Sequence, residues 1–175
     1  MKTTSIMLAL TAALVAQTAL VRVLAGDQAP VDLVLVVVVF AALSRGQVVG
    51  LWTGTFAGLL QDVLSGGIIG VSGLAKSIAG VLVGIAGSHF IIATVWHQLA
   101  VLVAATALHT FCFLGVYVLV GTATPLATVT YVLIQAVTNG VVGVAAAALV
   151  RGGPGALRRV RQGRSPLGRR HWIMG

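Results

Sequence analysis

The stretch from Val48 to Gly87 reads VVGLWTGTFAGLLQDVLSGGIIGVSGLAKSIAGVLVGIAG, an apolar hairpin with glycines at helical spacing and one carboxylate near its turn. Gly50, Gly54, Gly58 and Asp62 recur every fourth residue, so on a helix they share one face. Past the turn from Ser65 to Gly70, a second row begins with Gly73, Ser77, Gly80, Gly84 and Gly87. Two rows of small residues let two backbones approach closely, a common way for helices to bind one another in lipid. The spacing predicts two membrane helices packed row against row. The lysine inside this apolar region, Lys76, lies about one turn past the loop.

Composition agrees with a membrane setting. The chain is 58% hydrophobic and 8% charged, with a mean hydropathy of +1.07, where soluble domains carry roughly one quarter charged residues. Its 175 residues suffice for one compact membrane domain. A single cysteine, Cys112, leaves no basis for a disulfide framework or a cysteine-based metal site. The net charge of +8 resembles a nucleic-acid signal, but seven of the eleven basic residues crowd into the last 25 positions. A basic tail directly after a transmembrane helix reads as a cytoplasmic flank attracted to anionic lipids, with no nucleic-acid partner implied. Residues 1–150 therefore form a polytopic transmembrane domain and 151–175 a basic cytoplasmic tail. In that tail Arg151, Arg158, Arg159, Arg161 and Arg164 are the expected headgroup contacts, with Arg169 and Arg170 beyond them.

A crossing needs about 20 apolar residues, which places helices near 4–22, 30–45, 47–63, 70–88, 95–120 and 125–150. The expected fold is an all-α integral membrane protein, a bundle of five to six transmembrane helices. The apolar core of the second segment, Leu33 to Leu43, is short for a full crossing, so a re-entrant segment stands beside the six-helix reading. Six crossings put both termini on one side. Lys2, Arg45 and the tail arginines then lie inside and Arg22 outside, which favours cytoplasmic termini. Asp27 and Asp32 fall on the outer side. The first segment resembles a signal peptide, but its run from Ile6 to Val21 exceeds the usual length of about 7–15 and Arg22 interrupts the approach to a cleavage site. It reads as a retained helix.

Several polar residues admit two readings. Gly70 to Ser77 falls one residue short of a phosphate-binding loop, since Ala75 stands where the second glycine belongs; without a strand before it, that reading is rejected. His109, beside Thr106 and Thr110, reads as a helix-packing hydrogen-bonder rather than a metal ligand. Gln135 and Asn139 form an i, i+4 polar stripe, read as interhelical hydrogen bonding in preference to a cavity lining. Trp52, Trp96, Tyr117 and Tyr131 lie toward segment ends and read as interfacial anchors. Asp62 and Lys76 are charges at membrane depth, where each costs a few kcal/mol. Either they snorkel to the outer interface or they pair; an intramembrane ion pair clamping the hairpin is the preferred reading, a ligand site the sharper one. No nucleophile–base pair, carboxylate dyad or metal cluster appears in the sequence, so neither catalysis nor a cofactor is expected.

The hairpin resembles a known family. Gly58-Leu-Leu-Gln-Asp62, Leu64-Ser-Gly-Gly and Ile69-Gly70-Val-Ser-Gly-Leu74-Ala-Lys76 look like the signature of the rod shape-determining protein MreD family, a Gly-Leu-x-x-Asp stretch, a Ser-Gly-rich turn and a Gly-Leu/Val-x-x-Leu helix start. The specific match covers about 40 residues of the chain. The resemblance implies a non-enzymatic subunit of the cell-elongation machinery in the bacterial inner membrane. It further implies association with an MreC-like bitopic partner and, through it, with an MreB-like actin, RodA and a penicillin-binding transpeptidase that direct lateral peptidoglycan synthesis. The fold it implies is similar to the substrate-binding subunits of energy-coupling-factor vitamin transporters. Such a transporter subunit is the rival function, although the outer loops lack the polar and aromatic residues a vitamin pocket needs.

Overall fold

The computed structural model describes residues 3–23, 31–89, 95–121 and 128–152, with side chains over 3–23, 31–88, 96–121 and 132–148. Six α-helices follow one another: α1 (Thr3–Val23), α2 (Leu33–Arg45), α3 (Gln47–Ser65), α4 (Val71–His89), α5 (Val95–Leu119) and α6 (Thr128–Gly152). No strand occurs among the described residues. Thr3–Val23, Val71–Ser88 and Trp96–Leu119 are each long and apolar enough to cross a membrane. The protein is a polytopic helical membrane protein. The chain divides into two units, Met1–Val144 and Ala145–Gly175. The side chains of Tyr131 and Arg151, and the tail arginines, lie outside the described residues.

Why these segments are helical follows from the solvent. α2 reads LVLVVVVFAALSR, a run of β-branched residues that disfavour helix in water. In lipid every backbone N–H and C=O must be satisfied within the segment, and the helix does this. α2 is apolar all round, and both of its faces are covered. Val34, Val38 and Ala41 pack with Ile6, Leu10, Ala13 and Leu14 of α1 and with Ala57 of α3. Leu35, Val36, Val39 and Ala42 pack with Ala79 and Val83 of α4 and with Leu102 and Ala105 of α5. The shortest helix is the central one. Gly46 both ends α2 and begins α3, at φ +88 and ψ −177, a conformation open to glycine and strained for other residues.

The α3–α4 hairpin is the largest interface between elements, and the glycine rows meet there. A Cβ added at Gly54 would lie 2.5 Å from the carbonyl oxygen of Lys76, and one at Gly58 2.5 Å from the Cα of Gly73. Gly50 and Gly80 face each other backbone to backbone, and Gly84 lies against Gln47. Ser77 continues the second row, its hydroxyl donating to the Gly73 carbonyl. Gly87 reaches past α3 to Leu43 of α2. On the outside, Leu8, Val15, Phe56, Phe111, Leu133 and Val137 are exposed, an apolar exterior that suits lipid. Trp52 and Trp96 are exposed near helix starts, with Trp52 stacked on Phe56 at 5.6 Å between ring centroids.

Because the atoms facing Gly54 are backbone, they cannot rotate away from a larger residue. Gly54→Ala is expected to lower stability by about 1–3 kcal/mol or more, read as a lower melting temperature of the purified protein in detergent. Gly115→Ala, where nothing lies within 4 Å, is the control and should be neutral or slightly stabilising. A Gly54→Ala protein as stable as the wild type contradicts a backbone-to-backbone hairpin.

Candidate functional site

α2 has 13 residues, a length of about 20 Å against a hydrocarbon core of about 30 Å. Its N-terminus is buried inside the protein, with Val31 8% and Asp32 3% exposed. The first N–H groups of a helix have no partner within it, and no water is available there. Side chains from three helices supply the acceptors. Asn139 Oδ1 of α6 accepts from Asp32 N at 2.7 Å. Gln17 Oε1 of α1 accepts from Leu33 N at 3.0 Å, while Gln17 Nε2 donates to the Val31 carbonyl at 2.8 Å. Asp32 caps its own helix, Oδ1 accepting from Leu35 N at 2.9 Å.

The other oxygen of Asp32 meets the one buried ammonium among the described residues. Lys76 Nζ of α4 lies 2.6 Å from Asp32 Oδ2, with Lys76 0% and Asp32 3% exposed. His109 Nε2 of α5 stands 3.5 Å from both Lys76 Nζ and Asp32 Oδ2. Asn139 Nδ2 donates to Thr106 Oγ1 at 3.1 Å, and one turn along Thr110 Oγ1 donates to Gln135 Oε1 at 3.0 Å. Five helices thus contribute to one polar core: Gln17 from α1, Asp32 from α2, Lys76 from α4, Thr106 and His109 from α5, Asn139 from α6. Two opposite charges at contact offset each other's desolvation, and the surrounding hydrogen bonds occupy the remaining carboxylate positions.

Asp62 does something else. It was expected to pair with Lys76; instead it is 2% exposed and accepts from Gly70 N at 2.8 Å and from Ser72 N at 3.1 Å. The carboxylate at the end of α3 therefore closes the N-terminus of α4, where free N–H groups and the positive end of the helix dipole converge. Lys76 lies in the second turn of α4 and extends its stem toward α2 and α5. The Asp62–Lys76 pair is thus replaced by Asp32–Lys76, and Asp32, read only as a residue of the outer side, is buried. Gln135 and Asn139 both form hydrogen bonds to α5. Tyr117, expected as an interfacial anchor, stacks on Phe113 at 4.7 Å, and its hydroxyl accepts from Ile68 N of the α3–α4 turn at 3.4 Å.

The sequence reading missed Gln17 and the role of Asp32. A signal existed for the second: an aspartate directly before an apolar run is an N-cap pattern. For Gln17 the sign was an amide within an otherwise apolar span, a polar group that must find a partner in lipid. Chemically, the core offers no nucleophile with an adjacent base. No group of three metal-ligating side chains occurs among the described residues. Two surface grooves, one beside Arg45 and Gln47 and one along Val15 to Val23, contain none of the core residues in their walls.

Asp32→Asn keeps a capping oxygen but removes the charge, and Lys76→Met removes the ammonium but keeps the length. Each single change leaves an uncompensated partner and should cost about 3–5 kcal/mol. The combined Asp32→Asn/Lys76→Met protein should lose clearly less than the sum, measured by thermal unfolding in detergent. Asp62→Asn should cost about 0.5–2 kcal/mol as a lost cap and add to Lys76→Met without rescue. Rescue of Lys76→Met by Asp62→Asn rather than by Asp32→Asn contradicts this pairing.

The comparisons with known proteins agree with the motif at the hairpin. The family model described as rod shape-determining protein MreD matches residues 2–151. No curated protein and no solved structure matches the chain. The match runs through all six helices, including the glycine rows, both carboxylate caps and Lys76. The chain belongs to the MreD family of rod shape-determining membrane proteins.

Proposed function

We propose that this protein is a non-enzymatic membrane subunit of the bacterial cell-elongation complex, binding an MreC-like bitopic partner. Through that partner it stands with an MreB-like actin, RodA and a penicillin-binding transpeptidase in lateral peptidoglycan synthesis. It lies in the inner membrane with both termini cytoplasmic, its basic tail on anionic lipids. One observation carries the scaffold reading: the ionisable groups of the core are spent on one another and on helix ends. Lys76 and Asp32 neutralise each other, and Gln17 and Asn139 close the α2 backbone. A solute carrier of the energy-coupling-factor type would hold such groups open toward its ligand. A core that fastens five helices supports a body of fixed shape on which partners assemble.

The scaffold reading is tested by co-expressing the full chain with an MreC-like protein, capturing one and measuring the other. Stoichiometric recovery is expected, together with no small molecule bound above trace level by mass spectrometry. Failure of capture with a stoichiometric vitamin-like ligand in the purified protein would overturn the scaffold in favour of a transporter subunit. Topology is read separately with reporter fusions. Fusions after residues 26 and 122 should report the periplasm, and those after 46 and 175 the cytoplasm. A periplasmic C-terminus contradicts six crossings.

A further inference from the structure

The surroundings of His109 determine which nitrogen carries its proton. The side chain is 5% exposed, its Nδ1 has no hydrogen-bond partner, and its Nε2 lies 3.5 Å from Lys76 Nζ. Lys76 is fully enclosed and has three N–H donors. Among the described residues, its acceptors are Asp32 Oδ2 and the imidazole. Were the proton on Nε2, it would face the ammonium across 3.5 Å with only Asp32 Oδ2, also at 3.5 Å and already taken by Lys76, as an acceptor, and the ammonium would keep a single acceptor for three donors. An imidazolium would place a second cation against the Lys76 ammonium and beside a carboxylate already paired with it. A neutral ring protonated on Nδ1 leaves that one N–H without an acceptor but turns a lone pair toward the ammonium. The ring plane is set from its own helix, since His109 lies against Phe113 at 5.9 Å and Phe113 stacks on Tyr117. The titratable groups facing it are Asp32 from α2 and Lys76 from α4.

We infer that His109 is a positioning residue, a neutral Nδ1–H imidazole whose Nε2 lone pair holds the Lys76 ammonium on Asp32. This rests on reading the Asp32–Lys76 core as structural. The test is solid-state NMR of the full chain in lipid bilayers with 15N-labelled histidine. The sequence has four histidines, and the signal lost in His109→Gln identifies the one in question. A neutral ring with its proton on Nδ1 is expected; a proton on Nε2, or on both nitrogens, overturns the inference. A second arm compares melting temperatures. His109→Gln, whose amide oxygen can replace the lone pair, should stay close to the wild type, while His109→Phe, which keeps a ring without an acceptor, should fall by several degrees. Equal losses in both variants, or loss in neither, overturn the acceptor role. Failure here leaves partner capture by the wild type unchanged, whereas failure of the scaffold reading appears as lost capture with the tautomer intact.

Discussion

A helix that begins buried inside a membrane protein must satisfy its first N–H groups without water, and α2 is such a helix, with Val31 and Asp32 both buried. Each unsatisfied group in hydrocarbon costs several kcal/mol, so the start of α2 can exist only where other segments bring acceptors to it. Gln17, Asn139 and Asp32 are those acceptors. The capping carboxylate carries a charge, which requires a counter-charge at the same depth, and Lys76 supplies it. Lys76 in turn fixes the register of α4 against α2. The polar core is thus a chain of requirements that begins with one short helix.

The hairpin meets the same constraint at its turn. Asp62 closes the N-terminus of α4 from α3, as Asp32 closes that of α2 from within. Both described carboxylates of the chain therefore serve helix starts. From these polar points the glycine rows run along α3 and α4 in backbone contact, from Gly58 and Gly73 to Gln47 and Gly84, which makes the hairpin a stiff unit with little room to slide. Stiffness inside and an apolar exterior outside suit a membrane protein whose family determines cell shape.

The helices were legible because lipid makes length and hydropathy decisive; each predicted segment overlaps an observed helix, and α2 emerged as short from Leu33 to Leu43 alone. The glycine rows were legible because small residues at a spacing of four have few other reasons to recur. Pairing of charges was not legible. Asp62 and Lys76 are near in sequence and bracket one turn, which made them natural partners, but reach is decided in three dimensions. Lys76 points across to α2, toward an aspartate 44 positions away. Asn139 was visible as a polar residue on α6, yet its acceptor role at Asp32 N, 107 positions distant, depends on how α6 docks. Local spacing reveals faces of helices; it does not reveal which faces meet.

The chain has two lysines and three aspartates, so the pairing at the centre of this fold can be measured with little ambiguity. Dipolar recoupling between 15N-labelled lysine Nζ and 13C-labelled aspartate carboxyl carbons, in the full-length protein in bilayers, reads the contact directly. A strong coupling that disappears in Asp32→Asn and persists in Asp62→Asn is expected. A coupling that disappears in Asp62→Asn instead, or none at all in the wild type, contradicts a core built on Asp32 and Lys76.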